Sequence, residues 1–246
     1  MLTQYRLGLI HDGQPSPVPE WAYVLYAALL ENAPPAFSER VHAAIVTPIS
    51  QFLRIDGGRS LWVVNLLGNV SEEALSGYLE SVETVALTRK RVRLRVADRE
   101  RLFVPDVEAL LSATERKSCA YTLRFLTPAA FKSRGKYRNF PDAFLILQSL
   151  MKKWNACIPD CPMEDEDGEG LRAMADGLSF RHFRIQDGAY SLKGNPIPGF
   201  VGELVIENHL YGFQRQLADT LLLFANFAGA GVKTALGMGG VEALRF

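Results

Sequence analysis

Four histidines occur in 246 residues: His11, His42, His182 and His209. Histidine is the side chain whose ordinary pKa lies nearest neutral pH, so it can take a proton and return it within one reaction cycle. His42 follows a predicted first helix and precedes an apolar stretch. That places it in a predicted loop, a frequent setting for groups that do chemistry. A loop histidine is also often no more than a solvated side chain. His11 reads as a strand-end surface residue or a second proton donor. His182 alternates with Arg184 opposite Phe183 and Ile185, which puts it on a polar sheet face, and His209 closes a strand. No set of Asp, Glu, His or Cys has metal-ligand spacing. Cys157 and Cys161 form a C-x₃-C pair with no second pair to complete a zinc site, so they read as free thiols. Neither a metal nor a cofactor is expected.

A second candidate lies near the end of the chain, in Gly229-Ala230-Gly231-Val232-Lys233-Thr234-Ala235-Leu236-Gly237-Met238-Gly239-Gly240. Glycine admits φ > 0 and close backbone approach. Consecutive amides in such a turn can form a concave anion site. Gly229, Gly231, Gly237 and Gly239, together with Lys233, are therefore candidates for contact with a phosphate backbone. A plain turn between a helix and an edge strand is the alternative. A nucleotide P-loop fails on spacing, because Val232 precedes Lys233 where that motif needs glycine.

The formal net charge of zero hides segregated charges. Residues 89–101 carry seven basic groups against Asp98 and Glu100, and 160–169 carry six acids. Arg89, Arg91, Arg93 and Arg95 alternate with Val92, Leu94 and Val96, which predicts one strand with an all-arginine outer face. Arginine grips phosphate through a planar fork. A charged edge strand blunted against aggregation is the competing reading. Lys132, Arg134, Lys136 and Arg138 form a second basic segment around Tyr137, read either as an RNA contact or as a solvated turn.

The elements that must position these residues are legible as a pattern. A strand over 5–10, a helix over 20–32, apolar stretches at 45–55 and 61–67 split by Asp56-Gly57-Gly58, a helix capped by Ser71 and a strand over 90–96 give the order βαββαβ. The second half repeats it loosely: a strand at 120–126, a helix at 142–155, an acidic loop at 160–170, a hairpin of 180–186 with 200–207, a helix at 211–227 and a closing strand at 241–246. The predicted class is α+β, two tandem ferredoxin-like domains spanning 1–115 and 116–246. No apolar run approaches a membrane span. The odd number of cysteines and the lack of a signal peptide at the N-terminus predict a reducing, cytoplasmic setting.

Several segments together carry a resemblance. The glycine-rich C-terminal loop, the stretch Leu123-Arg124-Phe125-Leu126-Thr127-Pro128-Ala129-Ala130-Phe131-Lys132-Ser133, Phe140-Pro141-Asp142 and the helix end Lys153-Trp154-Asn155 are similar to those of the CRISPR-associated repeat-RNA processing endoribonucleases, a RAMP family. The resemblance implies two ferredoxin-like domains and metal-independent cleavage of CRISPR repeat RNA to a 2′,3′-cyclic phosphate. It implies His42 as the catalytic histidine and Tyr26, with Tyr23 as the alternative, as the helix tyrosine. The family's lysine shortly after the histidine has no counterpart here, which leaves Arg54 or Arg40 to stabilise charge on the phosphate. Implied partners are the repeat RNA, an effector complex and a second copy of the chain. A non-catalytic RNA-binding subunit of the same superfamily would look alike in sequence.

Overall fold

The structure, a computed structural model, describes residues 1–11, 13–114 and 120–245. The expected domain boundary at 115/116 lies outside the described residues. Strand β1 (Leu2–Ile10) opens the chain. Tyr5, Leu7 and Leu9 point to a helical layer, while Gln4 and Arg6 point to the opposite face. A single 3₁₀ turn over Pro19–Trp21 leads into α1 (Ala22–Glu31). Pro34-Pro35 reads in the sequence as a stop. In the structure Pro35 also begins α2 (Pro35–Ala43). Proline's fixed φ suits a first helical position, where its missing N–H has no partner to lose. His42 therefore sits in the last turn of a helix and not in a loop.

Strands β2 (Ile49–Asp56) and β3 (Arg59–Leu67) form the expected hairpin, turned by Gly57 and Gly58, both at positive φ. Helix α3 (Asn69–Ser81) starts two residues before Ser71. Ser71 is not the cap, since its hydroxyl donates to the Gly68 carbonyl at 3.0 Å. Strands β4 (Thr84–Leu87) and β5 (Val92–Val104) follow, then α4 (Val107–Thr114). The antiparallel sheet runs β2-β3-β1-β5-β4. That is the ferredoxin-like arrangement with β4 added at one edge.

The predicted arginine strand needs correction. Arg89 lies in a 3₁₀ turn over Thr88–Lys90, and Arg91 takes a left-handed conformation at φ 53°. Only Arg93 and Arg95 belong to β5, exposed between Val92, Leu94 and Val96.

The second unit comprises β6 (Ala120–Ala129), a small hairpin of β7 (Phe131–Ser133) and β8 (Lys136–Arg138), α5 (Ala143–Cys157), α6 (Glu169–Asp176), β9 (Leu178–Leu192), β10 (Asn195–Asn208), α7 (Gly212–Ala228) and β11 (Val241–Arg245). Its sheet runs β11-β6-β10-β9. Asp142 caps α5 by accepting from the Leu145 amide at 2.8 Å. The acidic segment turns into α6 at Glu169, which periodicity did not reveal in so short a helix. Among the described residues no helix is long and apolar enough to cross a membrane.

Each sheet buries one face under its own helices, giving two apolar cores. The units meet both where Leu2, Leu67 and Leu110 join the second unit's core and along a polar seam. Gln4 Nε2 donates to Asn65 Oδ1 at 2.8 Å and to the Asn226 carbonyl at 3.0 Å. Asn65 donates to Ser50 Oγ at 2.9 Å, and Ser50 donates to the Phe227 carbonyl at 2.5 Å. Gln51 Nε2 reaches the Ala22 and Ala235 carbonyls at 2.9 and 2.7 Å, and its Oε1 accepts from Trp62 Nε1 at 2.9 Å. Gln51 is 1% exposed, so every one of these bonds is shielded from water. Gln51→Leu keeps the volume but leaves a buried indole N–H and two carbonyls with one partner fewer. The expected loss is about 2–4 kcal/mol, on the order of one to two buried orphans. Urea unfolding measures it, and a loss under about 0.5 kcal/mol would mean that the seam does not hold the units together.

Candidate active site

A cleft of about 560 Å³ opens between the two units. Helices α1 and α2 supply Tyr26 and His42. The second unit supplies Lys132 from β7, Lys152 and Lys153 from α5, and Gly231 and Lys233 from the glycine-rich loop. Four lysines and a histidine thus meet, and no carboxylate lines the wall. Neighbouring cations with no acid among them favour a polyanion over a neutral ligand.

His42 is exposed, and its Nδ1 lies 2.6 Å from the Ser38 carbonyl one turn back. A carbonyl only accepts, so Nδ1 carries the proton and Nε2 is left free. Nε2 can then accept a proton when the ring is neutral and donate one when it is charged. Of the two tyrosine candidates, Tyr26 lines the cleft and Tyr23 does not. Burial pushes the Tyr26 phenol up to about 12, which keeps it a hydrogen-bond donor at neutral pH.

Neither arginine candidate joins this group. Arg54 lies on the sheet's opposite face, in a depression with Gln4, Arg6 and Glu242, and its guanidinium pairs with Asp56 at 2.9 Å. Arg40 lines a different cleft, beside Met1 and Cys161. The strand period explains this: Leu53 turns into the core beneath α1, so Arg54 must turn away. The cations come instead from the second unit. Lys152 was not singled out in the sequence, and Lys153 was named only in the helix end that carries the resemblance, with no site role. The signal for Lys153 was present, because it stands three residues after Leu150 and four before Cys157, inside the apolar stripe of α5.

The glycine loop also differs from expectation. Gly231 and Lys233 line the cleft, but Gly229, Gly237 and Gly239 are buried inside the protein. A Cβ on Gly231 would land on the Ala130 carbonyl, and one on Gly237 on the Tyr190 hydroxyl. Gly229 and Gly239 are likewise closed in by each other's turn. The glycines therefore serve close packing of the loop on its own chain. The loop's amides are mostly engaged too: Gly231 N donates to Ser149 Oγ at 2.8 Å, Val232 N to the Ala130 carbonyl at 2.9 Å, and Gly239 N to the Pro128 carbonyl at 2.9 Å. An amide nest built on this stretch is not what the fold presents. What the loop offers the cleft is the Lys233 side chain and the Gly231-Val232 edge.

Of the remaining basic residues, Arg134 and Gly135 turn the β7–β8 hairpin at φ 48° and 77°. Lys136 and Arg138 are exposed on β8, with Tyr137 paired opposite Lys132. Arg89, Arg91, Arg93 and Arg95 sit at the far edge of the first sheet, away from the cleft. His182 lies exposed on β9, and His209 Nε2 lies 2.8 Å from Ser179 Oγ. Among the described residues no three His, Cys, Asp or Glu side chains come close enough to hold a metal ion.

Tandem ferredoxin-like units with a cationic, histidine-bearing cleft between them define a two-domain protein suited to holding a polyanion against a proton-transfer group. The family model for "CRISPR-associated endoribonuclease Cas6" matches residues 123–241. The Cas6 endoribonuclease of Streptococcus thermophilus is 25% identical over 227 residues, 92% of each chain. That of Mycobacterium tuberculosis is 26% identical over 226 residues, 89% of this chain and 70% of its own. A solved Cas6 product complex superposes with a TM-score of 0.79 at 25% identity, covering 100% of this chain and 99% of the other. Over these spans the chain is similar to the Cas6 CRISPR-associated endoribonucleases.

Lys233 holds a left-handed conformation, φ 57°, which costs a side-chain-bearing residue about 1 kcal/mol or more. Lys233→Gly is expected to relieve that strain and leave melting temperature unchanged or higher. Gly231→Val meets both a positive φ and the Ala130 carbonyl, so it is expected to cost about 2 kcal/mol or more. Thermal melting of the two variants side by side checks this, and the reverse order would contradict the loop's packing.

Proposed function

We propose that this cleft cuts CRISPR repeat RNA by metal-independent phosphoryl transfer. The carrying observation is the convergence of His42, Tyr26 and four lysines without a carboxylate. In this reading a 2′-OH attacks the adjacent phosphorus, its O–P bond forms, and the P–O5′ bond breaks. The products end in a 2′,3′-cyclic phosphate and a 5′-OH. His42 Nε2 takes the 2′-OH proton when the ring is neutral, or donates a proton to the leaving 5′ oxygen when it is charged. The Tyr26 phenol donates a hydrogen bond to a phosphate oxygen. Lys132, Lys152 and Lys233 offset the negative charge that grows on the phosphate, work that the resemblance assigned to a residue just after the histidine. Lys136, Arg138, Arg93 and Arg95 hold flanking backbone, supplying affinity and register without reading sequence.

Repeat RNA incubated with the protein in excess EDTA is expected to be cut, with a cyclic phosphate detectable by mass. His42→Ala should slow single-turnover cleavage by about 10²–10⁴, the range for a general acid–base group. A strict Mg²⁺ requirement with a 3′-OH product would place the chain in another nuclease class. Lys233→Gly, expected to melt no lower than its parent, should bind RNA less well.

The outlying arginines can be tested separately. Arg93→Ala with Arg95→Ala should reduce the slope of log K against log[salt] by about 0.7–0.9 per lost contact. An unchanged slope would remove the β5 face from the RNA path.

A further inference from the structure

Lysine inside an apolar helix stripe is unusual, because burying an ammonium without partners is costly. Lys153 is half-buried along the cleft wall, and its Nζ is sunk beneath the glycine-rich loop. There it donates to the Ala228 carbonyl at 2.8 Å, the Gly229 carbonyl at 3.2 Å and Thr234 Oγ1 at 2.9 Å. An ammonium has three protons to donate, and each finds an acceptor. Ala228 is the last residue of α7, so its carbonyl belongs to the negative end of that helix and lacks a partner within it. One side chain thus ties the end of α7, the loop's entry and the turn that follows Lys233.

We propose that Lys153 is a positioning residue of the active site: its ammonium holds the glycine-rich loop in the shape that places Lys233 on the cleft wall. This rests on the reading of the cleft as the RNA site. A neutral amine has only two protons for three acceptors, so deprotonation turns a lone pair toward an oxygen and loosens the loop. Burial pushes Lys153 down to about 7, where the two forms exchange. RNA phosphates in the cleft favour the charged form. Affinity is therefore highest below about pH 7 and falls as pH rises above it, since binding must then take up a proton. The groups facing Lys153 are Lys152 and Cys157 on its own helix, His42 on α2, Tyr26 on α1, Lys132 on β7 and Lys233 on the loop. Burial keeps Cys157 and Tyr26 neutral through this range, at about 11 and about 12.

The test uses the full chain carrying His42→Ala, which leaves RNA uncut and removes the imidazole from the pH profile. Repeat-RNA affinity is measured from pH 6 to 8.5 at constant ionic strength. It is expected to fall about tenfold across that span. Lys153→Met on the same background should bind at pH 6 about as weakly as its parent at pH 8.5, with a flat profile. Thr234→Val removes one acceptor and should shift the parent's midpoint to lower pH. A flat parental profile overturns the proposal. So does a folded Lys153→Met protein with parental affinity at pH 6, or one with a lower melting temperature and an unchanged profile. Where Lys153→Met does not fold, the parental and Thr234→Val profiles decide. Lys233→Ala separates the two readings. If it weakens binding while Lys153→Met does not, only the role of Lys153 falls; if neither changes affinity, the cleft is not the RNA site.

Discussion

Helix α7 ends in carbonyls that it cannot satisfy itself. Of its last four, only Ala225 finds a backbone partner, the Gly229 amide. The other three are met by side chains from three different elements: Gln4 on β1 for Asn226, Ser50 on β2 for Phe227 and Lys153 on α5 for Ala228. Two carbonyls further along are met in the same way, Ala235 by Gln51 and Leu236 by the Tyr190 hydroxyl at 2.7 Å. Buried carbonyls must have donors. That requirement fixes where the loop lies and which face of the first sheet receives it. The relation between the two units follows, and with it the cleft.

The division of labour in the cleft then has a physical reason. His42 and the Tyr26 phenol come from helices of the first unit, and every lysine on the cleft wall comes from the second. A histidine packed among lysines on one rigid element would face their repulsion in the free protein. On separate elements joined by a seam, the distance between them is set by docking. The absence of carboxylates from the wall matters as much. A neighbouring acid would pair with a lysine and cancel the field that a phosphate would feel, as Asp56 does for Arg54 and as Glu203 and Glu242 do for Arg124 on the other face.

Much of the architecture was legible in the sequence because period-two and helical stripes mark buried faces. The βαββαβ order and the Gly57-Gly58 hairpin follow from local chemistry. Helix α2 was not legible, since Pro34-Pro35 signals both an end and a beginning. The arginine strand was misread for a related reason: alternation continues through a turn as easily as through a strand, and nothing in Arg89–Arg91 marks the left-handed bend. His42 and Tyr26 could be paired only through a resemblance. Arg54 was chosen for its distance along the chain from His42, and strand period alone would have turned it away from α1 once Leu53 was known to be buried.

The glycine loop carries the more general point. Glycines in a sequence announce that something approaches the backbone closely, without saying whether the visitor is a ligand or the protein itself. Here Ala130, Tyr190 and the loop's own turns are the visitors. Close self-packing is still functional, because a loop crossed by that many hydrogen bonds holds one shape. Lys233 keeps a strained backbone in that shape, and a residue held in strain at a cleft wall is better placed to meet a phosphate than one on a mobile turn. In the proposed reading the loop contributes rigidity delivered by glycines and charge delivered by one lysine. The buried Lys153 beneath it makes the first depend on a proton.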